Sequence, residues 1–189
     1  MDLKKHSIEQ SLIILLSGGI ILYPTDTIWG IGCDATNSSA IRKIYNLKKR
    51  DEKKSMILLV SDENMVAEYV FNPSGKVLAY LSQQNRPTTA IYENAINLPD
   101  ILINTDKTIA IRITTDVFCK SLIRKFGRPL ISTSANISGE PYPQCFSQIS
   151  DTIKKDVDYI VQHRQDDLSS SKPSSIIKLN GDKEIEIIR

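Results

Sequence analysis

In the stretch ISTSANISGEP, residues 131–141, four hydroxyl side chains, an Asn, a Gly and a Pro follow the apolar pair Leu130 and Ile131. The apolar pair predicts a buried strand. An amphipathic segment at 116–127 comes before it and ends at a glycine, as helices often do. The polar side chains after the strand could hold phosphate oxygens, or they could simply form a hydrogen-bonded loop. They are Ser132, Thr133, Ser134 and Asn136. From these residues alone, both interpretations stay open.

Composition indicates a soluble globular chain. Its 189 residues are 41% hydrophobic and 24% charged, a length and composition that predict one domain over residues 1–189 with a substantial core. The chain has 24 Lys and Arg against 22 Asp and Glu, so its net charge is only +2. A dedicated nucleic-acid binder is usually much more basic, so any basic function must be local.

Cysteine usage and the N-terminus predict a cytoplasmic protein. Cys33, Cys119 and Cys145 are widely spaced and form no CxxC pair, which indicates neither a disulfide framework nor a zinc site. Two lysines followed by LIILL at 12–16 imitate a secretory signal, but the apolar run is short and is followed by two glycines. A helix, a glycine stop and a buried strand explain this segment better.

Helical and strand patterns alternate along the chain. Helices are predicted at 8–17, 38–50, 61–70, 75–83, 116–127 and 147–155. Strands are predicted at 20–24, 56–60, 88–92, 108–113, 158–162, 174–179 and 184–189, besides the one before the opening stretch. Because the alternation is not strictly strand, helix, strand, it favours an α/β fold of the α+β type, with a twisted mixed sheet flanked by helices.

The segment YPTDTIWGIGCDA, residues 23–35, is the first candidate for chemistry. Its hydroxyls and Asp26 can donate and accept hydrogen bonds, while Gly30 and Gly32 allow a close approach to the backbone. Composition alone favours a capped turn between strands over a ligand site.

A basic segment, LKKRDEKKS at residues 47–55, is the second candidate. Lys48, Arg50 and Lys54 could converge on a polyphosphate. Cations also complement the dipole at a helix C-terminus, so a solvated surface is the favoured interpretation of this segment taken alone.

Arg112, within TIAIRI, is the third candidate. An Arg among alternating apolar residues must face either water or an anion. Thr108 stands four residues earlier on the same strand face, which favours a carboxylate or phosphate clamp.

Some chemistries are disfavoured by what the sequence lacks. There is no GxxxxGK[ST] loop and no GxGxxG, and His6 and His163 lie outside every candidate motif. A histidine base or a histidine-rich metal site is therefore not expected. An enzyme with this sequence would work mainly by positioning and charge stabilisation.

The order of the motifs carries more information than any one of them. YPTDTxxGxGxxA, KxR, AIRI and STSANxSGxP follow one another, and in this order the sequence resembles the YrdC-like family, the threonylcarbamoyl-AMP synthases. The resemblance runs from about residue 8 to the C-terminus and is closest to the short bacterial form. It implies a single α/β domain with a twisted mixed sheet around a large basic cavity.

The resemblance also implies a reaction. The family condenses L-threonine, bicarbonate and ATP into threonylcarbamoyl-AMP and pyrophosphate, for the modification of tRNA at position 37. ATP is expected with Mg²⁺, without a tightly bound cofactor. Expected partners are a downstream tRNA threonylcarbamoyl-transferase, bound transiently, and weakly bound tRNA or double-stranded RNA. No membrane contact is expected.

Site residues are carried over from the family by motif. The phosphate grip and catalytic group would be Lys48, Arg50, Ser134 and Asn136. Further nucleotide contacts would come from Lys54, Thr108 and Arg189. Threonine would be bound by Thr27, Arg112, Ser134 and Ser174. No metal ligand is assigned, Asp26 being only a candidate. On this basis, substituting Lys48 or Asn136 is expected to abolish turnover and to leave folding intact.

Three departures from the family pattern leave alternatives open. First, the family commonly has Pro directly after KxR and again a few residues later, where this chain has Asp51 and Ser55. Second, QNRPTT at 84–89 replaces the usual WPGPxT. Third, Gln144 replaces a frequent Thr. A YciO-type paralogue with weak synthase activity is one alternative. A tRNA or double-stranded RNA-binding module without chemistry is the other, although the near-neutral net charge counts against it.

Overall fold

The computed structural model describes residues 2–52, 54–169, 172–180 and 184–189. The strands of the described residues are β1 (Ile21–Tyr23), β2 (Gly30–Gly32), β3 (Ile57–Val60), β4 (Thr88–Tyr92), β5 (Ile109–Ile113), β6 (Leu130–Ser134), β7 (Tyr159–Ile160), β8 (Ser175–Asn180) and β9 (Glu184–Ile187). The helices are α1 (Leu3–Leu16), α2 (Ser38–Leu47), α3 (Glu63–Tyr69), α4 (Gly75–Ser82), α5 (Val117–Phe126) and α6 (Asp151–Asp156), and a 3₁₀ turn covers Phe146–Gln148.

The strands form one sheet in the order β7-β1-β2-β6-β3-β5-β4-β8-β9. The pairs β1 with β7, β3 with β5 and β4 with β8 are parallel. The other neighbouring pairs are antiparallel. Mixed pairing follows from the irregular alternation of helices and strands, and the predicted twisted mixed sheet flanked by helices is confirmed.

The two faces of the sheet carry different side chains. Leu58, Ile111, Ala90 and Ile177 align across β3, β5, β4 and β8, and each is at most 1% exposed. Successive side chains in a strand point to opposite faces, so the residues between these lie on the other face. Arg112 is among them. One face therefore packs into the core, and the other carries polar groups.

Side-chain caps set several helix starts. Asn37 caps α2, and its Oδ1 accepts from the amides of Ser39 and Ala40. Asp116 caps α5 in the same way. Gly127 ends that helix with φ 71°, a left-handed conformation that glycine adopts without strain.

One predicted helix ends earlier in the structure, and another is divided. The predicted helix 38–50 ends at Leu47, because Lys49 takes φ 48° and the amide of Arg50 bonds back to the carbonyl of Tyr45 at 2.9 Å. The predicted helix 147–155 is split into a 3₁₀ turn and α6. Ser150 separates them, since its hydroxyl accepts from the amide of Ile153 and starts a new helix.

The turn predicted for residues 23–35 contains a strand that the prediction missed. Thr25 does make a turn, accepting from the amide of Thr27 at 3.0 Å. The chain then continues as β2 between β1 and β6. A Cβ at Gly32 would lie 2.6 Å from both the carbonyl oxygen of Ile131 and the ring of Tyr23. Glycine here allows three strands to approach closely, as its predicted role suggested.

The N-terminal segment is a helix, a glycine stop and a buried strand, as the sequence predicted: α1, a left-handed Gly18 with φ 74°, and β1. The helix starts at Leu3 rather than at the predicted residue 8. Among the described residues no helix combines the length and apolar character needed to cross a bilayer. The three cysteines are free thiols and are buried.

Candidate functional site

A cavity of about 660 Å³ lies against the polar face of the sheet. Hydroxyl side chains on its wall include those of Thr27, Ser132, Thr133, Ser134 and Ser174. Five cationic side chains also line it: Arg50, Arg86, Arg112, Lys172 and Arg189. None of the described residues on this wall is an Asp or a Glu. The field inside therefore favours an anion carrying several charges.

Arg112 extends from β5 to the cavity wall and forms a buried ion pair. Its Nη2 lies 3.1 Å from Oδ1 of Asp26, and the two side chains are 4% and 6% exposed. The other carboxylate oxygen of Asp26 accepts from the amide of Thr115 at 3.0 Å and from the hydroxyl of Thr114 at 3.2 Å. The buried Nε and Nη2 of Arg112 have no hydrogen-bond partner within the described residues, so Nη2 is held to Asp26 by the ion pair alone. A carboxylate ligand would satisfy Nε.

Thr27 stands on the wall between two pockets. Its Oγ1 lies 2.9 Å from Oγ1 of Thr25, which also donates to the carbonyl of Ile28. Thr27 lines the main cavity and a polar pocket of about 160 Å³ that also contains Asp26 and Arg164. Arg164 holds this turn by donating to the carbonyl of Thr25 at 2.7 Å. These hydrogen bonds to Thr25 therefore hold the turn that carries Thr27.

Lys48 is buried and is not on the cavity wall. Its ammonium donates to the carbonyls of Ser134 and Asn136, and its own carbonyl accepts from the amide of Ser138 at 2.8 Å. Burial, and secondarily the charge of Arg50, lowers the pKa of Lys48 from 10.5 to about 8. Lys48 contacts backbone rather than open space, so in this structure it is a residue that positions the loop after β6.

Arg50 lines the cavity and also closes the basic loop. Its Nε donates to the carbonyl of Lys54 at 3.0 Å, and its Nη2 donates to the carbonyl of Ser55 at 2.8 Å. Burial lowers the pKa of the Arg50 guanidinium. The side chain of Lys54 is exposed and is not part of the cavity wall. Arg50 therefore points inward because the loop carbonyls hold it there.

Asn136 shapes the turn after β6. Its Nδ2 donates to the carbonyls of Ile137 at 3.0 Å and Glu140 at 2.7 Å. Ser134, two residues earlier, is on the cavity wall, whereas Asn136 is not. The stretch ISTSANISGEP thus combines the two interpretations that the sequence left open, a ligand-facing segment and a hydrogen-bonded loop. Ser134 faces the cavity and Asn136 makes the hydrogen-bonded loop.

The remaining predicted residues separate into two places. Ser174 lies on the cavity wall, where its hydroxyl is 2.8 Å from that of Thr89, and Arg189 donates to its carbonyl at 3.1 Å. Thr108 is not on the wall. Its hydroxyl donates to Oδ1 of Asp106 at 2.7 Å and accepts from the side-chain Nδ2 of Asn104 at 2.9 Å, which orders the loop before β5.

The structure thus brings some predicted site residues to one wall and leaves others away from it. On the wall are Thr27, Arg50, Arg112, Ser134, Ser174 and Arg189; not on it are Lys48, Lys54, Thr108 and Asn136. Sequence reasoning missed Arg86 and Lys172 as cavity cations. No local pattern marks either one, because each is an exposed cation in a loop and only the sheet order brings the two loops together.

A protein-held metal ion does not fit the described residues. They contain no group of three or more His, Cys, Asp and Glu side chains that could hold one. Asp26, the candidate from sequence, is ion-paired through Oδ1 with Arg112, and its Oδ2 accepts from Thr114 and Thr115. A magnesium ion needs oxygen ligands, and this carboxylate is engaged elsewhere.

Known proteins resemble this chain in sequence over most of its length. A putative threonylcarbamoyl-AMP synthase of Methanocaldococcus jannaschii is 35% identical over 174 residues, which are 92% of this chain and 80% of that protein. A threonylcarbamoyl-AMP synthase of Coxiella burnetii is 36% identical over 142 residues, 75% of this chain and 76% of that protein.

Solved structures share the fold. YciO of E. coli is 26% identical and superposes with a TM-score of 0.82, covering 98% of this chain and 89% of that one. Sua5 of P. abyssi complexed with L-threonine is 19% identical with a TM-score of 0.85, covering 96% of this chain and 53% of that one. The present chain thus spans about half the length of Sua5, and at this identity the likeness shows the fold alone.

The family described as Telomere recombination, the Sua5, YciO and YrdC proteins, matches residues 13–189, and the resemblance seen in the motifs is thereby confirmed. This chain belongs to the Sua5/YciO/YrdC family.

Proposed function

We propose that this chain is a threonylcarbamoyl-AMP synthase, which joins L-threonine, bicarbonate and ATP and releases pyrophosphate. The observation that carries the proposal is the cavity wall, where Thr27 and Arg112 stand with Arg50 and Ser134. A site for an amino acid and a polyphosphate needs a carboxylate clamp and several further cations, and this wall offers both. Relatives that are 35% and 36% identical carry the synthase name, one of them as putative.

In the proposed reaction, Arg112 binds the threonine carboxylate. Its free Nε, buried beside Asp26, can donate to that carboxylate, and the hydroxyl of Thr27 lies close by. The Asp26 carboxylate orients the guanidinium and keeps it from turning toward the phosphates. The threonine amine forms a bond to the carbon of CO2 derived from bicarbonate and loses a proton, so that amine and bicarbonate together give a carbamate and water.

The second step transfers the adenylyl group. A carbamate oxygen forms a bond to the α-phosphorus of ATP, and the bond from that phosphorus to the bridging oxygen of the β-phosphate breaks, so pyrophosphate leaves with the electron pair. Arg50 and the hydroxyl of Ser134 are placed to stabilise the charge on the phosphates. Lys48 contributes by holding the backbone of Ser134 in place. Any Mg²⁺ enters with the nucleotide as part of the substrate.

Two alternatives have less support. A YciO-type role would fit the altered QNRPTT segment and the structural likeness to YciO at 26% identity. The synthase relatives are, however, more similar in sequence. A pure RNA-binding module would not need a buried Arg112, ion-paired with Asp26, on the wall of a cavity.

The test is formation of pyrophosphate and an AMP-containing product with ATP, threonine and bicarbonate, each omitted in turn. Product is expected only when all three are present. The Arg50→Ala variant should lose product formation, whereas Arg42→Ala, which removes an exposed cation outside the cavity, should keep it. ATP hydrolysis that does not depend on threonine would contradict the proposal. In the proposed function, the threonylcarbamoyl-AMP product passes to a downstream tRNA-modifying transferase.

A further inference from the structure

Arg164, which follows β7, holds its guanidinium between two segments of the candidate site. Its Nη1 donates to Oδ2 of Asp116 at 2.9 Å, and its Nη2 donates to the carbonyl of Thr25 at 2.7 Å. An exposed ion pair stabilises little, but the side chain of Asp116 is only 8% exposed and one rigid fork reaches both acceptors. Arg164 therefore joins the loop after β5 to the turn after β1.

The two joined segments are themselves connected at the carboxylate of Asp26. The turn after β1 carries Asp26 and Thr27. In the loop after β5, the amide of Asp116 donates to the hydroxyl of Thr114 at 3.2 Å, and that hydroxyl donates to Oδ2 of Asp26 at 3.2 Å. A chain of hydrogen bonds thus runs from Arg164 through this loop to Asp26.

Asp26 in turn orients the guanidinium of Arg112 on the wall of the main cavity. Nη2 of Arg112 lies 3.1 Å from Oδ1 of Asp26, and Nε of Arg112 has no partner among the described residues. The direction of this free donor depends on where Asp26 stands. Hydrogen bonds weaken steeply when the donor turns away from its acceptor, so a small displacement of Asp26 is enough to weaken binding of an anion. Arg164 can therefore affect that anion without touching it.

The backbone of Arg164 takes a conformation that does not suit an arginine. Its φ is 64°, in the left-handed region that glycine adopts readily and other residues seldom adopt. Strained residues persist where the surrounding structure holds them, and they concentrate at functional sites. An arginine at this position is explained by its two side-chain contacts and not by local backbone preference.

We propose that Arg164 is a positioning residue, which holds the turn of Asp26 and Thr27 against the loop after β5 and thereby sets the affinity of the cavity for threonine. It acts through Asp26 and Arg112 and contacts no substrate. The ligand in this proposal rests on the proposed function. Arg50 takes no part in these hydrogen bonds, so binding of ATP should not depend on Arg164.

Trp29 reports the position of this turn when no ligand is bound. It is the one tryptophan of the chain, it is 6% exposed, and it lines the same polar pocket as Arg164. In the full chain, Arg164→Ala should change both its fluorescence emission and its quenching by acrylamide. Arg124→Ala is the matched control, because it removes an exposed arginine of α5 that pairs with Asp62, and it should change neither.

Threonine affinity is the second measurement. Calorimetry of L-threonine with the full chain should show binding about tenfold weaker for Arg164→Ala. In the synthase reaction the KM for threonine should rise by a similar factor, while kcat at saturating threonine and the KM for ATP should change by less than about twofold. Arg164→Lys should recover part of the affinity, since an ammonium restores the charge but not the planar fork.

Arg164→Gly separates positioning from folding. Glycine adopts a φ of 64° without strain, so this variant should have a higher unfolding midpoint than Arg164→Ala. Both variants lack the guanidinium, so both should bind threonine with the same weakened affinity. If Arg164 acted only on stability, the threonine affinities would instead follow the unfolding midpoints.

The proposal and the proposed function can fail separately. Unchanged Trp29 fluorescence in Arg164→Ala, or threonine binding as tight as in the unsubstituted chain, would overturn the proposal and leave the synthase function in place. An equal rise in the KM for ATP would overturn it too. If Trp29 responds to Arg164→Ala but the unsubstituted chain binds no threonine and forms no product, the synthase function is rejected and only the hold of Arg164 on the turn remains.

Discussion

Nη2 of Arg112 lies 3.1 Å from Oδ1 of Asp26, with 4% and 6% of the two side chains exposed. The two residues come from different motifs, PTDT and AIRI, which are 86 positions apart in the chain. Their pairing puts the threonine-binding candidates of both motifs on one wall. The pairing also leaves a donor of Arg112 free. The guanidinium can therefore bind an anionic ligand, and Asp26 compensates its buried charge when no ligand is bound.

The first prediction concerns this pair. Asp26→Asn and Arg112→Met should each lower the free energy of unfolding by about 3–5 kcal/mol, because each leaves its partner as an uncompensated buried charge. The double variant should lose clearly less than the sum of the two. Urea unfolding of the three variants measures this. Additive losses would mean that the two side chains do not interact.

Lys48 gives a second prediction, which revises the expectation from sequence. Lys48→Met removes the ammonium that donates to the carbonyls of Ser134 and Asn136 and leaves both without this donor. A loss of about 3 kcal/mol in the free energy of unfolding is expected, along with the loss of turnover. Lys54→Met, at an exposed lysine, should change stability by less than about 0.5 kcal/mol. If Lys48→Met were as stable as the unsubstituted chain, the positioning role would be wrong.

Stability should also depend on pH through Lys48. Its pKa is about 8 in the folded chain against the ordinary 10.5. Between these values the unfolded chain holds the proton and the folded chain has released it, so the free energy of unfolding should rise with pH from 8 to 10.5. The slope from this group is at most about 1.4 kcal/mol per pH unit.

The measurement for this third prediction is the difference in unfolding free energy between the unsubstituted chain and Lys48→Met across that range. Taking the difference removes the titration of other groups. The neutral amine still has two N–H donors for its two carbonyls, so the loop should remain held. A difference that is flat or falls with increasing pH would show that Lys48 titrates normally.

The fourth prediction concerns β2. Gly32→Ala should lower the free energy of unfolding by about 1–3 kcal/mol or more, because the new Cβ would lie 2.6 Å from the carbonyl of Ile131 and the ring of Tyr23. Gly75→Ala is the matched control, since a Cβ there has no atom within 4 Å. It should be neutral or gain up to about 1 kcal/mol. Thermal and urea unfolding compare the two, and a neutral Gly32→Ala would contradict the close packing.

Local patterns predicted those features that depend on near neighbours in the chain. The strand TTAIY at 88–92 has the predicted bounds, and α5 starts and ends within one residue of the prediction. Strand alternation, helix periodicity, caps and glycine stops act over a few residues, so the sequence shows them directly.

Longer-range contacts were not visible in the same way. β2 was missed because its two glycines carry no hydrophobic pattern, and its place depends on Ile131, about 100 residues later. Lys48 and Arg50 belong to the same basic run, and no local pattern distinguishes them. In the structure the ammonium of Lys48 donates to a carbonyl beyond position 130, whereas Arg50 lines the cavity.

The sequence by itself determined the family, the mixed α/β fold and most elements, because these follow from motif order and local periodicity. Only the tertiary structure decided which motif residues share the cavity wall, that Lys48 supports the loop of Ser134 from behind, and that Arg86 and Lys172 line the same cavity. The physical reason is that register and strand order set which side chains meet, and both result from packing over the whole chain.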